Sequence, residues 1–373
     1  MVRAGLDPAW QCLFANDFDP KKGASYAENW GTQTLCIDDI RNVKAEELLT
    51  RSNNQRVDLA WASFPCQDLS LAGGGAGLKG ERSGTFWPFW EKLHWLSNIQ
   101  KHPTIVTLEN VCGTLTSHHG KDFVAIVDAM QSLGYYVGAL VIDARKFLPQ
   151  SRPRLFFVCV RNDVKIAAKL INEAPDRKWH TAALLNAHGR LGPRAKDLWI
   201  WWNLPNPRTR RKTLSQIIDT SPQAQWHSAD ETQYLLSMMN DANLQKLKQA
   251  KKTDKPTIGT MYRRTRYETG AGKVQRVEVR FDGIAGCLRT PAGGSSRQFV
   301  IFVDGRKIRT RLMAPSETAQ LMGLDRSYQL PNNFNEALHL TGDGVAVPVV
   351  RHLAKNLFDS VAQENQYSFE FAA

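Results

Sequence analysis

Short apolar runs separated by polar turns recur through the first 160 residues: Gln11–Ala15 (QCLFA), Val57–Ser63 (VDLAWAS), Thr104–Asn110 (TIVTLEN), Tyr135–Ile142 (YYVGALVI) and Arg154–Val160 (RLFFVCV). Between them lie stretches with helical spacing, among them Phe86–Gln100 and Asp122–Leu133. Runs that are apolar throughout, rather than alternating, suit strands covered on both faces, so this β-α order predicts a doubly wound α/β domain with a mostly parallel sheet. In such folds ligands sit at the carboxyl ends of the strands. From about Arg161 the rhythm breaks into Pro-, Trp- and Arg-containing stretches such as Lys196–Lys212, a polar helical stretch over Asp230–Gln249 and the linker-like AKKTDKP. Helical spacing returns at Ala314–Leu324, where Ser316 is the expected cap, and at Val345–Phe358. Met1–Leu6 also reads as a helix. The division expected is a catalytic and cofactor-binding part over 1–162, a smaller inserted domain over 163–305 and a return to the first domain over 306–373.

The chain has 373 residues, 42% of them hydrophobic, which excludes a disordered tail or a fibre and suits two domains. Its charge of +12 is unevenly placed. Val160–Val300 carries 25 Lys and Arg against 12 Asp and Glu, and everything else sums to −1. A basic block between near-neutral flanks is the footprint of nucleic-acid binding. The six cysteines are scattered without a C-x-x-C pair, so they read as buried small hydrophobes in a reducing compartment, not as a metal or disulfide framework. No apolar stretch reaches the roughly 18 residues of a membrane span and no signal-peptide pattern opens the chain, so a cytoplasmic protein is expected.

One cysteine stands apart. Cys66 follows Pro65 at the end of an apolar run and opens a glycine-rich loop, FPCQDLSLAGGGAG; by itself this segment reads more readily as an ordinary turn. One β-α unit on, Glu109 and Asn110 close the run TIVTLEN, which puts an acid at the same sheet edge. An acid ending an apolar strand is poised for a raised pKa and proton donation, although a solvated charge or a cap has the same appearance. Then QSRPR places Gln150, Arg152 and Arg154 just before RLFFVCV. Asp17 ends the first run, where an acid commonly binds ribose hydroxyls, and Phe18 beside it is placed to stack on a base.

FPCQ, LENV and QSRPR, in that order on an α/β scaffold, followed by RTRLMAPSETAQLMGL and TGDGVAVPVV, resemble the DNA cytosine-5 methyltransferases of bacterial restriction-modification type. The resemblance covers nearly the whole chain. It departs at Asp343, where the family usually has Asn after Gly. The resemblance implies methyl transfer from S-adenosylmethionine to C5 of a cytosine flipped out of double-stranded DNA. Cys66 would add to C6, because C5 is a poor nucleophile until the ring becomes an enamine. Glu109 would bind and protonate N3, Arg154 would hold O2, Arg152 would support the loop, and Gln67 would belong to a closing lid that fills the vacated stack. For the cofactor the resemblance implies Asp17, Phe18, Asp39, Ile40, Pro65, Gly344 and Val345, and for DNA it adds Ser70 to Gln67. Within the inserted target-recognition domain, Arg263, Arg264, Arg266, Arg289 and Arg297 are the expected DNA contacts, as base readers or as phosphate contacts. No metal is expected; a cognate restriction endonuclease and a monomer acting on DNA are.

The family opens with a strand and a loop of the form Phe-x-Gly-x-Gly-Gly that cradles the methionine end of the cofactor. Glycine fingerprints lie about 20 residues before the ribose acid, and counting back that far from Asp17 passes Met1. The expectation is a fold lacking its first strand as numbered, with the natural start upstream. Two rival readings remain open: a tRNA cytosine-5 methyltransferase, and a catalytically silent DNA-binding homologue. The long basic insertion favours DNA, because RNA shape needs no domain for reading base edges.

Overall fold

The computed structural model describes residues 1–64, 85–208, 212–221, 224–268, 270, 272–290 and 297–370. Two compact units emerge: one comprises residues 7–143, 153–206 and 351–373, the other residues 1–6, 144–152 and 207–350.

The first unit holds a parallel pair, β1 (Ala15–Asp17) and β2 (Leu35–Ile37), and a four-stranded sheet in the order β3-β4-β6-β5. Its strands are β3 (Leu59–Ser63), β4 (Ile105–Asn110), β5 (Tyr135–Asp143) and β6 (Pro153–Arg161). All six residues of β4 are buried, apolar Ile105, Val106 and Leu108 and polar Thr107, Glu109 and Asn110 alike, as in a strand covered on both faces. On one face the helix Lys121–Ser132 contributes Phe123, Ile126, Val127 and Met130, spaced three and four apart and fully buried. Each such burial contributes roughly 1.5–3 kcal/mol. On the other face Trp61 and Phe156 meet Phe358 of the carboxyl-terminal segment, with Trp61 6.1 Å from Phe156 and 6.4 Å from Phe358 between ring centroids. The outer edge of β5 is covered by residues 198–200: Val137 N–H donates to the Leu198 carbonyl at 3.1 Å, and Ile200 N–H to the Val137 carbonyl at 2.9 Å. Gly138 permits this approach, since a Cβ there would meet Trp202 Nε1 at 2.5 Å. A short antiparallel pair, β7 (Ile171–Asn172) and β8 (Trp201–Trp202), completes the unit's strands among the described residues.

This sheet is mixed. β3 and β4 run parallel, whereas β6 is antiparallel to both β4 and β5. Parallel strands were expected for TIVTLEN, YYVGALVI and RLFFVCV alike. Only residues 144–152 join β5 to β6, and a parallel crossover needs a dozen residues or more.

The second unit is built on an antiparallel sheet, β10-β9-β11-β12, of β9 (Thr257–Glu268), β10 (Gly272–Arg280), β11 (Gln298–Asp304) and β12 (Lys307–Leu312). The polar helical stretch becomes two capped helices, Ala229–Ser237 and Asp241–Ala250, whose Leu235 and Leu247 join Met261, Val277, Val279 and Ile301 of the sheet in one core. The helix Pro315–Leu321 begins one residue before the expected cap. Pro315 takes the first helical position, so Ser316 lies inside, and Glu317 reaches back to accept from Ala314 N–H at 2.7 Å. The same carboxylate receives Arg311 Nη1 at 2.8 Å, Arg311 Nη2 at 2.5 Å and Asp219 N–H at 2.8 Å. Both side chains are 3% exposed, a buried pair with its acceptor sites filled. Among the described residues no helix is long and apolar enough to cross a membrane.

Two predictions follow from buried polar groups. Glu317→Ala strands the Arg311 guanidinium and is expected to cost about 3–5 kcal/mol, read as a lower urea midpoint; an unchanged midpoint would contradict a stabilising pair. His180, fully buried, accepts a hydrogen bond from Asp176 N–H through Nδ1 at 2.9 Å, and burial lowers its pKa to about 4. The unfolded state then takes up a proton that the native state refuses, so stability is complete above about pH 6.5 and falls as the pH drops toward 4. His180→Gln should flatten that decline in urea midpoints measured across the interval.

Candidate active site

Three chain segments meet at one edge of the first unit's sheet. β3 and β4 end there, and β6, running the other way, begins there. Ser63 stands in register with Glu109, and Asn110 with Leu155, so Arg154 emerges beside the acid. Arg154 Nε lies 3.1 Å from Glu109 Oε1. The acid is the more deeply held partner, its side chain 7% exposed against 16% for the arginine. Asn110, buried beside it, donates through Nδ2 to the Phe64 carbonyl at 3.3 Å and accepts from Val111 N–H at 2.8 Å. Phe64 packs on Phe86, 5.5 Å between ring centroids, which anchors the chain as it leaves β3.

The arrangement is a carboxylate and a guanidinium set side by side on rigid strands. It can hold a planar polar group by one acceptor and one fork of donors. Pro65, Cys66, Gln67 and Ser70 lie outside the described residues. Among the described cysteines, burial pushes the thiols of Cys36, Cys112 and Cys159 up and favours the protonated form; for Cys112 it acts against the pull of Arg154.

The ends of β1 and β2 lie side by side, with Asp17 opposite Ile37. Asn16 Nδ2 ties them together, donating to the Cys36 and Asp38 carbonyls at 3.1 and 2.8 Å. Gly23 lets the helix Pro20–Trp30 approach Ile37, where a Cβ would come within 2.5 Å of Cδ1. Phe18 and Ile37 are 66% and 47% exposed, an apolar shelf flanked by carboxylates. Asp17 Oδ1 accepts from Asp19 N–H at 3.0 Å, and Asp39 Oδ1 from Arg41 N–H at 2.9 Å, while Ile40 follows Asp39 on the same turn. Carboxylates beside an exposed aromatic ring match a ribose and a purine, so these residues fit a nucleoside-containing cofactor.

The remaining candidates belong to the second unit. Arg152 is 2% exposed and its guanidinium donates to the carbonyls of Leu288 at 2.7 Å, Gly342 at 2.8 Å and Gly344 at 2.6 Å. It braces the backbone. Gln150 does the same, donating to the Leu321 carbonyl at 2.7 Å. Gly344 packs against the Met1 side chain, and Val345 is buried. Of the arginines, Arg263 lies over the Phe299 ring at 5.7 Å, Arg264 and Arg289 are exposed, Arg266 pairs with Glu278, and Arg297 Nη2 donates to Asn335 Oδ1 at 2.7 Å. Sequence reasoning passed over Arg276 and Tyr267, which the β9–β10 hairpin brings next to these arginines. The alternation in KVQRVEVR, after MYRRTRYE and a Gly-containing turn, was the available hairpin signal.

Arg154→Ala is expected to lower stability by about 1–3 kcal/mol, because a buried carboxylate loses its charged partner, and Arg154→Lys to recover only part of that. Urea midpoints for the three proteins check it, and equality of wild type and Arg154→Ala would contradict it.

Residues 2–359 match the C-5 cytosine-specific DNA methylase family. The type II methyltransferase M.Bsp6I of Bacillus sp. (strain RFL6) is 33% identical over 155 residues, an alignment covering 41% of this chain and 46% of that relative. The type II methyltransferase M.MspI of Moraxella sp is 23% identical over 359 residues, covering 96% of this chain and 68% of the relative. The crystal structure of the S. pombe Dnmt2 methyltransferase superposes with a TM-score of 0.58 at 14% identity over 96% of this chain and 94% of its own, a likeness of fold. With the family match running over residues 2–359, this chain belongs to the C-5 cytosine-specific DNA methylases.

Proposed function

We propose that this protein transfers a methyl group from S-adenosylmethionine to C5 of cytosine in double-stranded DNA, as the modifying enzyme of a restriction-modification system with a cognate endonuclease, acting as a monomer in the cytoplasm. The observation that carries the reading is the Glu109–Arg154 pair at the sheet edge, with Phe64, two residues before Cys66, held to the neighbouring Asn110.

In this reading the target cytosine leaves the stack and Arg154 turns its donors to O2. Glu109 would bind the N3 edge of the base and donate a proton to N3. The Cys66 thiolate forms a bond to C6, and the electron pair of the C5–C6 double bond becomes available at C5. S-Adenosylmethionine, when bound, supplies an electrophilic methyl; Asp17 and Asp39 would hold its ribose and adenine, with Phe18 and Ile40 against the base. Loss of the C5 proton and departure of the Cys66 sulfur restore the aromatic ring. Gln67 and Ser70 would face the vacated stack, and the residues of 163–305 would serve as the target-recognition domain.

The test is transfer of labelled methyl from S-adenosylmethionine to unmethylated duplex DNA. Cys66→Ala is expected to abolish transfer, and Glu109→Gln to reduce it roughly 10²- to 10⁴-fold. Duplex DNA containing 5-fluorocytosine, whose fluorine cannot leave as a proton does, should trap a covalent adduct in mass spectra of the wild type and none in Cys66→Ala. Adduct formation without Cys66 would overturn the covalent route. Transfer to tRNA but not to DNA would move the substrate, and binding without any transfer would leave a silent DNA-binding homologue.

A further inference from the structure

The first unit gathers charge at the sheet edge opposite Glu109 and Arg154, where β3 and β4 begin and β6 ends. Four segments meet there. Arg56 lies on the approach to β3, His102 on the approach to β4, Tyr135 opens β5 and Arg161 closes β6. The backbone fixes the meeting: Thr104 N–H donates to the Val57 carbonyl at 3.1 Å, Arg161 N–H donates to the Thr104 carbonyl at 3.1 Å, and Tyr135 pairs with Arg161 in the ladder. Along β6, Arg154 stands roughly 23 Å from this edge.

Arg161 is 5% exposed. Its Nε donates to Asp163 Oδ1 at 2.9 Å and its Nη2 to Asp163 Oδ2, but Nη1, also buried, finds no partner among the described residues. No other guanidinium among the described residues leaves a terminal nitrogen buried in this way. Arg56 Nη2 donates to the Gln100 carbonyl at 3.0 Å, while its Nε is buried and unmatched. The His102 ring stands nearly perpendicular to that of Tyr135, 5.5 Å between centroids, and Tyr135 donates to the Pro103 carbonyl at 2.6 Å. His102 Nδ1 is buried and likewise unmatched. Burial first, then Arg161 and Arg56, hold the His102 pKa down to about 4, with Asp163 pulling the other way. Two guanidiniums, one carboxylate and a neutral imidazole thus leave a positive excess beside three unmatched nitrogens.

Buried polar groups are nearly always hydrogen-bonded, and an orphaned one marks a water or an ion. Two guanidiniums that press on one imidazole favour an ion of negative charge. We infer that this cluster is a binding site for a small tetrahedral oxyanion, phosphate or sulfate, held by Arg161 Nη1, Arg56 Nε and His102 Nδ1. Neutral His102 donates in the tautomer protonated on Nδ1, and the two guanidiniums make charge-assisted bonds. The anion ties the approaches to β3 and β4 to the end of β6. This site is independent of the methyl-transfer reading.

The test uses the full chain with sodium sulfate as the probe, ionic strength held constant with sodium chloride, and thermal unfolding as the readout. Sulfate stabilises proteins generally by exclusion from their surfaces, so the site is read from the difference between wild type and Arg56→Gln. A ligand that binds only the native state adds a rise that grows with the logarithm of its concentration. Arg56→Gln removes a half-buried charge and is expected to weaken sulfate binding roughly 10- to 150-fold, which leaves the general rise alone. Asp163→Asn removes the competing acid and is expected to tighten binding. A second readout needs only the wild type labelled with ¹³C-histidine. Sulfate, a dianion throughout the interval, should move the His102 titration midpoint up from about 4, because an anion favours the imidazolium; His102→Gln identifies the resonance. Equal sulfate dependence in wild type and Arg56→Gln, or a His102 midpoint that sulfate does not move, would overturn the inference and leave an ordered water at the cluster. Should Arg56→Gln fail to fold, the His102 midpoint decides alone.

Discussion

Nine residues, Ala144–Arg152, separate β5 from β6, and the geometry of the site depends on that shortness. Too few to carry a crossover helix, they force β6 to run back alongside β5. Because β6 also pairs with β4, its first residues come to the edge where β4 ends, and Arg154 meets Glu109 there. A parallel β6 of the same nine residues would put Arg154 near the opposite end of the strand, roughly 20 Å away.

The chain's arginines divide by what their surroundings ask of them. Arg311 and Glu317 neutralise each other in the interior, and removing either member strands the other. Arg152, two residues from Arg154, is spent on backbone carbonyls in the second unit, so the two arginines of QSRPR do unlike work. In the β9–β10 hairpin Arg266 and Arg276 are likewise tied to acids, Glu278 and Glu268. Net charge names the partner's sign, while the pairing decides which side chains can reach it.

Much of this was legible along the chain. The helices at Phe86–Asn98 and Lys121–Ser132 and the strands β3 to β6 stand where their apolar patterns put them, because a both-faced burial leaves an unbroken run and a one-faced helix leaves a 3.6-residue period. β2 was not read, since three residues beside a polar turn make no pattern, and β9 to β12 were hidden by the density of arginine and polar residues on their exposed faces. Ser316 was nominated as a cap because capping side chains are readable locally, but Pro315 before it moved the helix start.

The sequence by itself determined the order of chemistry-bearing segments, FPCQ, LENV and QSRPR, the basic excess of the middle block, and hence the family. Those are properties of neighbours along the chain. Tertiary structure alone decided that β6 turns back, that Glu109 and Arg154 share an edge, that Arg152 braces a backbone, and which arginines acids already hold. Each of these joins residues far apart in sequence through strand direction and pairing register, and no local pattern of hydrophobic and polar residues encodes either one.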